Sequence, residues 1–199
     1  MNLKSRHGVH DYLNEHGIGE REIAERYMLG YVETPLRGDD RFMWSLSIPY
    51  LTRAGVKSIK YRNVEMNSSG NKFDQPSGQQ ARLYNTAAYF IADDVVGITE
   101  GEIDAITATE RLQIPTMGIP GAEVWRGKTE IWGPLFKDFR QVIIFADGDD
   151  AGKRMAYIVA ETIGMRARII QCPDGEDVSS MVFADRKQWL LDALKNASE

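Results

Sequence analysis

Asp147, Asp149 and Asp150 fall within four positions of the stretch FADGDDAG, residues 145–152, directly after the apolar run 142–145. Like charges this close repel, and the cost is relieved by a cation or by protons. Two further acidic groups end apolar runs in the same way. In TEGEIDAI, Glu100 follows the run 95–99 and Asp104 lies four residues on, one helical turn away and on the same side. In CPDGED, Asp174, Glu176 and Asp177 follow the run 167–172. Hard oxygen donors in this number suit Mg²⁺ (or Mn²⁺), which binds through one or two carboxylates together with waters and substrate phosphates. A second ion about 4 Å away would hold both the attacking and the leaving oxygen of a phosphoryl transfer. The spacing does not fit a twelve-residue calcium loop.

The elements that must position these groups emerge from hydrophobic pattern. From residue 95 onward, short apolar runs (VVGIT, PTMGI, QVIIF, ARIIQC) alternate with amphipathic stretches (EIDAITATERL, AGKRMAYIVAETIG, DRKQWLLDALKN). Strands separated by helices imply crossovers and a parallel sheet. Ligands of such sheets bind beyond the carboxyl ends of the strands, where every acidic cluster maps. Each cluster also holds a glycine, Gly101, Gly148 or Gly175, for a sharp turn. Residues 9–31 read as helix, turn and helix. RFMWSLSIPYL and VKSIKYRNV read as a strand pair turning at Ala54-Gly55, and 66–80 as a polar loop.

Not every polar group is assigned chemistry. Asp150 reads as a cap for a helix starting near Ala151, and Glu102 and Glu176 as solvated. His7, His10 and His16 read as surface residues, Cys172 as core, and Trp125 and Trp132 as packing.

Charge divides the chain. Residues 1–90 carry 12 Lys and Arg against 10 Asp and Glu, a net of +2; residues 91–199 carry 12 against 19, a net of −7. The first part suits an anionic partner and the second carries the carboxylates. Arg53, Lys57, Lys60 and Arg62 are interleaved with Tyr50 and Tyr61 in YLTRAGVKSIKYRN. Lys60 and Arg62 point to one face of a strand. That stripe suits phosphates, with the tyrosines available to stack on bases; the plainer reading is a solvated face. A single cysteine, Cys172, excludes an internal disulfide and a multi-cysteine zinc site. No apolar run approaches about 18 residues, and MNLKSRHGVH lacks the apolar core of a signal peptide. These features set the expectation of a cytoplasmic protein with no membrane contact.

The acidic motifs resemble the TOPRIM domain, the metal-binding module shared by bacterial-type primases, type IA and II topoisomerases and some nucleases. Its marks are a glutamate after the first strand (Glu100) and a DxD after the third (Asp147-Gly148-Asp149). TEGEIDAI, FADGDDAGKRMA and PDGED are similar to the bacterial and phage primase version. Upstream, YLNEHGIGEREIAERYMLGYV and KFDQPSGQQARLYNT resemble the N-terminal lobe of a primase RNA-polymerase domain.

The resemblance implies an α/β fold: a TOPRIM domain with a four-stranded, mainly parallel sheet flanked by helices, plus a small N-terminal α+β lobe. The expected division is 1–90 for the basic lobe, 91–180 for the TOPRIM domain and 181–199 for a helix packed on it. The implied activity is primer synthesis: a Mg²⁺-dependent nucleotidyl transfer from ribonucleoside triphosphates on a single-stranded DNA template. Asp147 and Asp149, with Asp104 and Asp177, would bind metal. Glu100 would bind metal or act as general base. Arg62, Lys72 and Arg82, with Lys60, would hold template or nucleotide.

The chain departs from the family pattern in two ways. Ser179 stands where the family often has a further acid, and the zinc-binding and helicase regions of full primases are expected to lie elsewhere than in these 199 residues. A minimal or split phage-like form, with a separate zinc-binding or helicase subunit, is the expectation. The alternatives are a TOPRIM nuclease and a non-catalytic accessory subunit.

Overall fold

The computed structural model describes residues 3–64 and 72–196, and divides between Gln80 and Ala81 into two compact units.

In the first unit α1 (Leu3–Glu15) and α2 (Arg21–Arg26) precede an antiparallel sheet. Its strands are β1 (Gly30–Tyr31), β2 (Leu46–Thr52), β3 (Gly55–Arg62) and β4 (Phe73–Asp74), in the order β1-β2-β3-β4. The β2–β3 hairpin closes through Arg53-Ala54, with Thr52 opposite Gly55. Gly55 has φ of 94°, in the left-handed region that favours glycine. Leu46 and Ile48 are fully buried and pair with Arg62 and Lys60. The polar loop expected over 66–80 lies partly outside the described residues.

The second unit begins with α3 (Ala88–Ile91) and continues with β5 (Val95–Thr99), α4 (Glu102–Arg111), β6 (Thr116–Gly118), α5 (Ala122–Arg126) and α6 (Thr129–Trp132). It ends with β7 (Gln141–Ala146), α7 (Asp150–Ile163), β8 (Ala167–Gln171), α8 (Val178–Phe183) and α9 (Lys187–Asn196). The four strands are all parallel, in the order β6-β5-β7-β8. The periodicity reveals every strand of this sheet. It does not reveal α3, α5, α6 or α8, each of which has six residues or fewer and is too short to show a 3.6-residue period.

Strand alternation sorts the core into two layers. Val96, Ile98, Val142, Ile144 and Ala146 face α5, α6 and α7, with Trp125 and Trp132 buried among them. Ile143, Phe145, Ile170 and Cys172 face α4, α8 and α9. Both tryptophans and Cys172 are thus core, as their sequence context suggests. Among the described residues no helix is long and apolar enough to cross a membrane.

Candidate active site

The order of strands reverses between β5 and β7: the chain leaves β5 for β6 on one side and then returns to place β7 on the other. Crevices at such reversals are where open parallel sheets bind ligands. Glu100 follows β5 and Asp147 follows β7, so both stand at this point.

Alternation gives the ends of the two strands different parities, yet the Glu100 charge still reaches Asp147 and raises its carboxyl. Glu100 continues the parity of Val96 and Ile98, toward α5 and α7. Asp147 continues the parity of Ile143 and Phe145, toward α4 and α8. Asp104 is also on the α4–α8 side, where its Oδ1 accepts a hydrogen bond from the Ser179 backbone N–H at 2.9 Å.

Asp177 joins Asp104 through α8. Its Oδ1 accepts from the Ser180 N–H at 2.7 Å and from the Ser179 hydroxyl at 2.9 Å, and Ser180 completes a capping box. Ser179, only 1% exposed, thus ties Asp104 to Asp177 with its two donors.

The Asp147 loop is fixed to the Asp177 loop by backbone pairing. Gly148 N–H donates to Glu176 O at 2.7 Å, and Gly175 N–H donates to Gly148 O at 3.0 Å. The Gln171 side-chain amide donates to Asp147 O.

Asp149 is the N-cap of α7, accepting from Gly152 N–H at 2.7 Å. Asp150 is the first helical residue and is exposed near Lys153, so the cap expected at Asp150 belongs to Asp149. Glu102 is 2% exposed and not solvated, because it sits on the buried face of α4. Glu176 is engaged as well: its carboxylate accepts from Ser180 at 2.7 Å and pairs with Arg186, and these contacts lower its pKa.

Electrostatics report the crowding. Burial, then the charges of Asp104, Asp177, Glu100 and Asp149, push the Asp147 carboxyl up to about 8. Burial, then Asp177, pushes Asp104 up to about 7 against the opposing hydrogen bonds from Ser179. Both folded values lie above the ordinary 3.8. The folded state therefore holds protons that the unfolded state has released. Without metal, the contribution of these two groups to stability is fully present below the ordinary carboxylate value, falls as pH rises, and stops falling above about 8. In EDTA, the melting temperature is expected to be lower at pH 8.5 than at pH 5.5, with Mg²⁺ restoring more of it at the higher pH. A melting temperature that rises over this interval would contradict the cluster's electrostatics.

The basic residues are placed less uniformly. Arg62 lies over the rings of Phe73 (4.6 Å) and Tyr12 (5.0 Å), and the Lys60 ammonium lies over Phe73 at 4.1 Å. Both are half-buried, on the face that Leu46 and Ile48 share. The simple solvated-face reading is thus replaced by a cation–aromatic stack. The tyrosines are occupied elsewhere: Tyr50 is buried and Tyr61 stacks on Phe42 with ring centres 4.0 Å apart. Lys72 and Arg82 are exposed.

Residues 97–182 match a family model described as Toprim-like. Over 154 residues the chain is 42% identical to the gene 57 protein of Mycobacterium phage D29, across 75% of this chain and 97% of that protein. It belongs to that phage protein's family. The fold of the whole chain is that of a primase catalytic core. It superposes on the DnaG catalytic core with a TM-score of 0.73 at 18% identity, covering 95% of this chain and 72% of that one. For the DnaG primase catalytic domain bound to ssDNA the values are 0.72 and 17%, over 98% and 73%.

The side chains of the Toprim-like domain suit a hard divalent cation in kind. All the donors are carboxylate oxygens, and the part of the Asp147 and Asp104 shifts that comes, after burial, from neighbouring carboxylates is what a cation would relieve. Among the described residues no three acidic, histidine or cysteine groups form a ready cage. Mg²⁺ does not require one, since waters and substrate phosphates complete its shell.

Ser179, in sequence only a departure from the family pattern, organises two of the carboxylates. The signal available for this role is its position two residues after a helix-capping aspartate.

Proposed function

We propose that this chain is the RNA-polymerase core of a DNA primase, joining ribonucleotides on single-stranded DNA with a divalent cation. The observation that carries the reading is the convergence of Asp104, Asp147 and Asp177 beside Glu100 at the strand-order reversal of a primase-type fold. Asp147, Asp104, Asp149 and Asp177 would hold Mg²⁺, which when bound supplies charge to offset that of the transferring phosphoryl group. Asp149 and Asp177 each already accept backbone N–H bonds, which fix the direction of their carboxylates. Glu100, near enough for its charge to raise the Asp147 carboxyl, would receive the proton of the attacking 3′-hydroxyl or help hold the metal. Ser179 is a positioning residue: it fixes Asp104 relative to Asp177 and touches no reacting atom. A separate zinc-binding or helicase subunit would supply what a single cysteine does not.

Lys72 and Arg82 are the exposed cations assigned to template or nucleotide, while Lys60 and Arg62 also stabilise their lobe through aromatic contacts. The two sets should separate by experiment. Lys72→Ala and Arg82→Ala should each lower the salt slope of single-strand binding by about 0.7, or raise the KM for nucleotide, with melting temperature unchanged. Lys60→Ala and Arg62→Ala should lower the melting temperature, since stacked cations contribute about 0.5–2 kcal/mol. Wild-type slope and wild-type KM in both the Lys72 and Arg82 variants would remove those residues from the substrate surface.

A further inference from the structure

The first turn of α8 directs its donors at two carboxylates of the cluster. The Ser179 N–H, one of the groups that a helix start leaves without an intrahelical acceptor, reaches Asp104 Oδ1 at 2.9 Å across 75 positions of chain. The Ser179 hydroxyl donates to Asp177 Oδ1 at 2.9 Å, and the Ser180 N–H donates to the same oxygen at 2.7 Å. At the start of α7 the Gly152 N–H donates to Asp149 Oδ1 at 2.7 Å. Of the four aspartates assigned to metal, Asp104, Asp149 and Asp177 thus each have one carboxylate oxygen already held. Asp177 Oδ1, with two donors, has both of its lone pairs in use.

This pattern bears on which ion fits. A carboxylate chelates one ion with both oxygens only when both are available. With Oδ1 engaged, each of the three is left to offer Oδ2 singly. Mg²⁺ suits such donors: it takes an octahedron of oxygens at about 2.0–2.1 Å and keeps several waters. Ca²⁺ takes about six to eight oxygens at roughly 2.3–2.6 Å, and often both from one carboxylate. Ser179 is also neutral and 1% exposed, packed between Asp104 and Asp177. An acid in its place would remove the hydroxyl donor from Asp177 and add two hard oxygens, and both changes favour the larger ion.

We propose that Ser179 sets the metal preference of the cluster, restricting its aspartates to one oxygen each and so favouring Mg²⁺ over Ca²⁺. The inference deepens the reading above and rests on its metal assignment. Ser179 acts here through Asp104 and Asp177 and is a positioning residue, not a ligand.

Calorimetric titration of the full chain with Mg²⁺ and with Ca²⁺, without template or nucleotide, reads the ratio of the two dissociation constants. Wild type should bind Mg²⁺ the more tightly. Ser179→Ala removes the hydroxyl and keeps the peptide N–H; it should weaken Mg²⁺ about tenfold, the usual cost of losing a group that orients a metal ligand, and Ca²⁺ much less. Ser179→Asp should tighten Ca²⁺ about tenfold relative to Mg²⁺, since calcium affinity follows the charge and number of its oxygens. A role confined to folding would weaken both ions alike. A wild type that prefers Ca²⁺ or binds neither ion, or a wild-type ratio in Ser179→Ala, would overturn the proposal. The alanine variant, smaller and uncharged, decides the matter if the aspartate variant does not fold. A wild type that prefers Mg²⁺ through Ser179 and makes no RNA would overturn the primase reading alone and leave the metal preference standing.

Discussion

Replacing Gly148 by alanine is expected to destabilise the protein by about 3 kcal/mol or more and to remove Mg²⁺ binding at the aspartate cluster. A Cβ at this position would stand 1.7 Å from the Pro173 carbonyl oxygen and 2.9 Å from the Gly175 nitrogen. Both obstacles are backbone, so no side chain can swing aside to relieve them. The same two loops are held by the Gly148–Glu176 and Gly175–Gly148 hydrogen bonds. Parting them costs those bonds and moves Asp147 away from Asp177. Urea unfolding and calorimetric Mg²⁺ titration give the two readouts. Wild-type stability with wild-type Mg²⁺ affinity would show that the loops do not need this contact.

Asp147→Asn is expected to act in the opposite direction on stability while strongly lowering activity. The substitution removes a half-buried charge whose carboxyl is pushed up to about 8 by burial and by four neighbouring carboxylates. The metal-free fold should therefore become more stable at pH 8.5, with little change at pH 5.5. Loss of a hard anionic ligand should weaken Mg²⁺ binding. Primer synthesis should fall by roughly 10²–10³-fold or more, the usual cost of deleting one preorganised electrostatic partner of a transition state. Single-strand affinity should stay near wild type, since Asp147 is not among the residues assigned to template. Lower stability at pH 8.5 would contradict the repulsion; unchanged Mg²⁺ affinity would take Asp147 out of the metal site.

Much of this site is legible in the sequence because strands of a parallel sheet are short apolar runs, and the residues just past the end of each run must lie at one edge. Glu100 and Asp147 are placed there by that rule alone; Asp177, six residues past β8, is brought back by the turn through Gly175 and by capping α8. The side to which each carboxylate turns is less legible. Asp104 faces Ser179 because α4 packs beside α8, and α8, at six residues, is too short to announce itself. The cap of α7 is misread by one position because Asp149 and Asp150 are equally good caps by type, and only the extended backbone of Asp149, with ψ of 175°, decides between them. Glu102 is buried against expectation, since sequence cannot say which face of a helix will be covered. In the first unit, alternation correctly pairs Lys60 with Arg62 on one face, but Phe73 and Tyr12, which cover that face, come from distant positions.

The primase assignment is tested most directly by incorporation of labelled ribonucleotides on single-stranded DNA, by the full chain, with Mg²⁺ and with EDTA. Where priming requires a separate subunit, the source replication extract is added to both arms. Short RNA products are expected that require Mg²⁺ and are lost on replacing Glu100 by glutamine, with DNA binding retained. Mg²⁺-dependent cleavage of the single strand, with no ribonucleotide incorporated even in the presence of the extract, would contradict it.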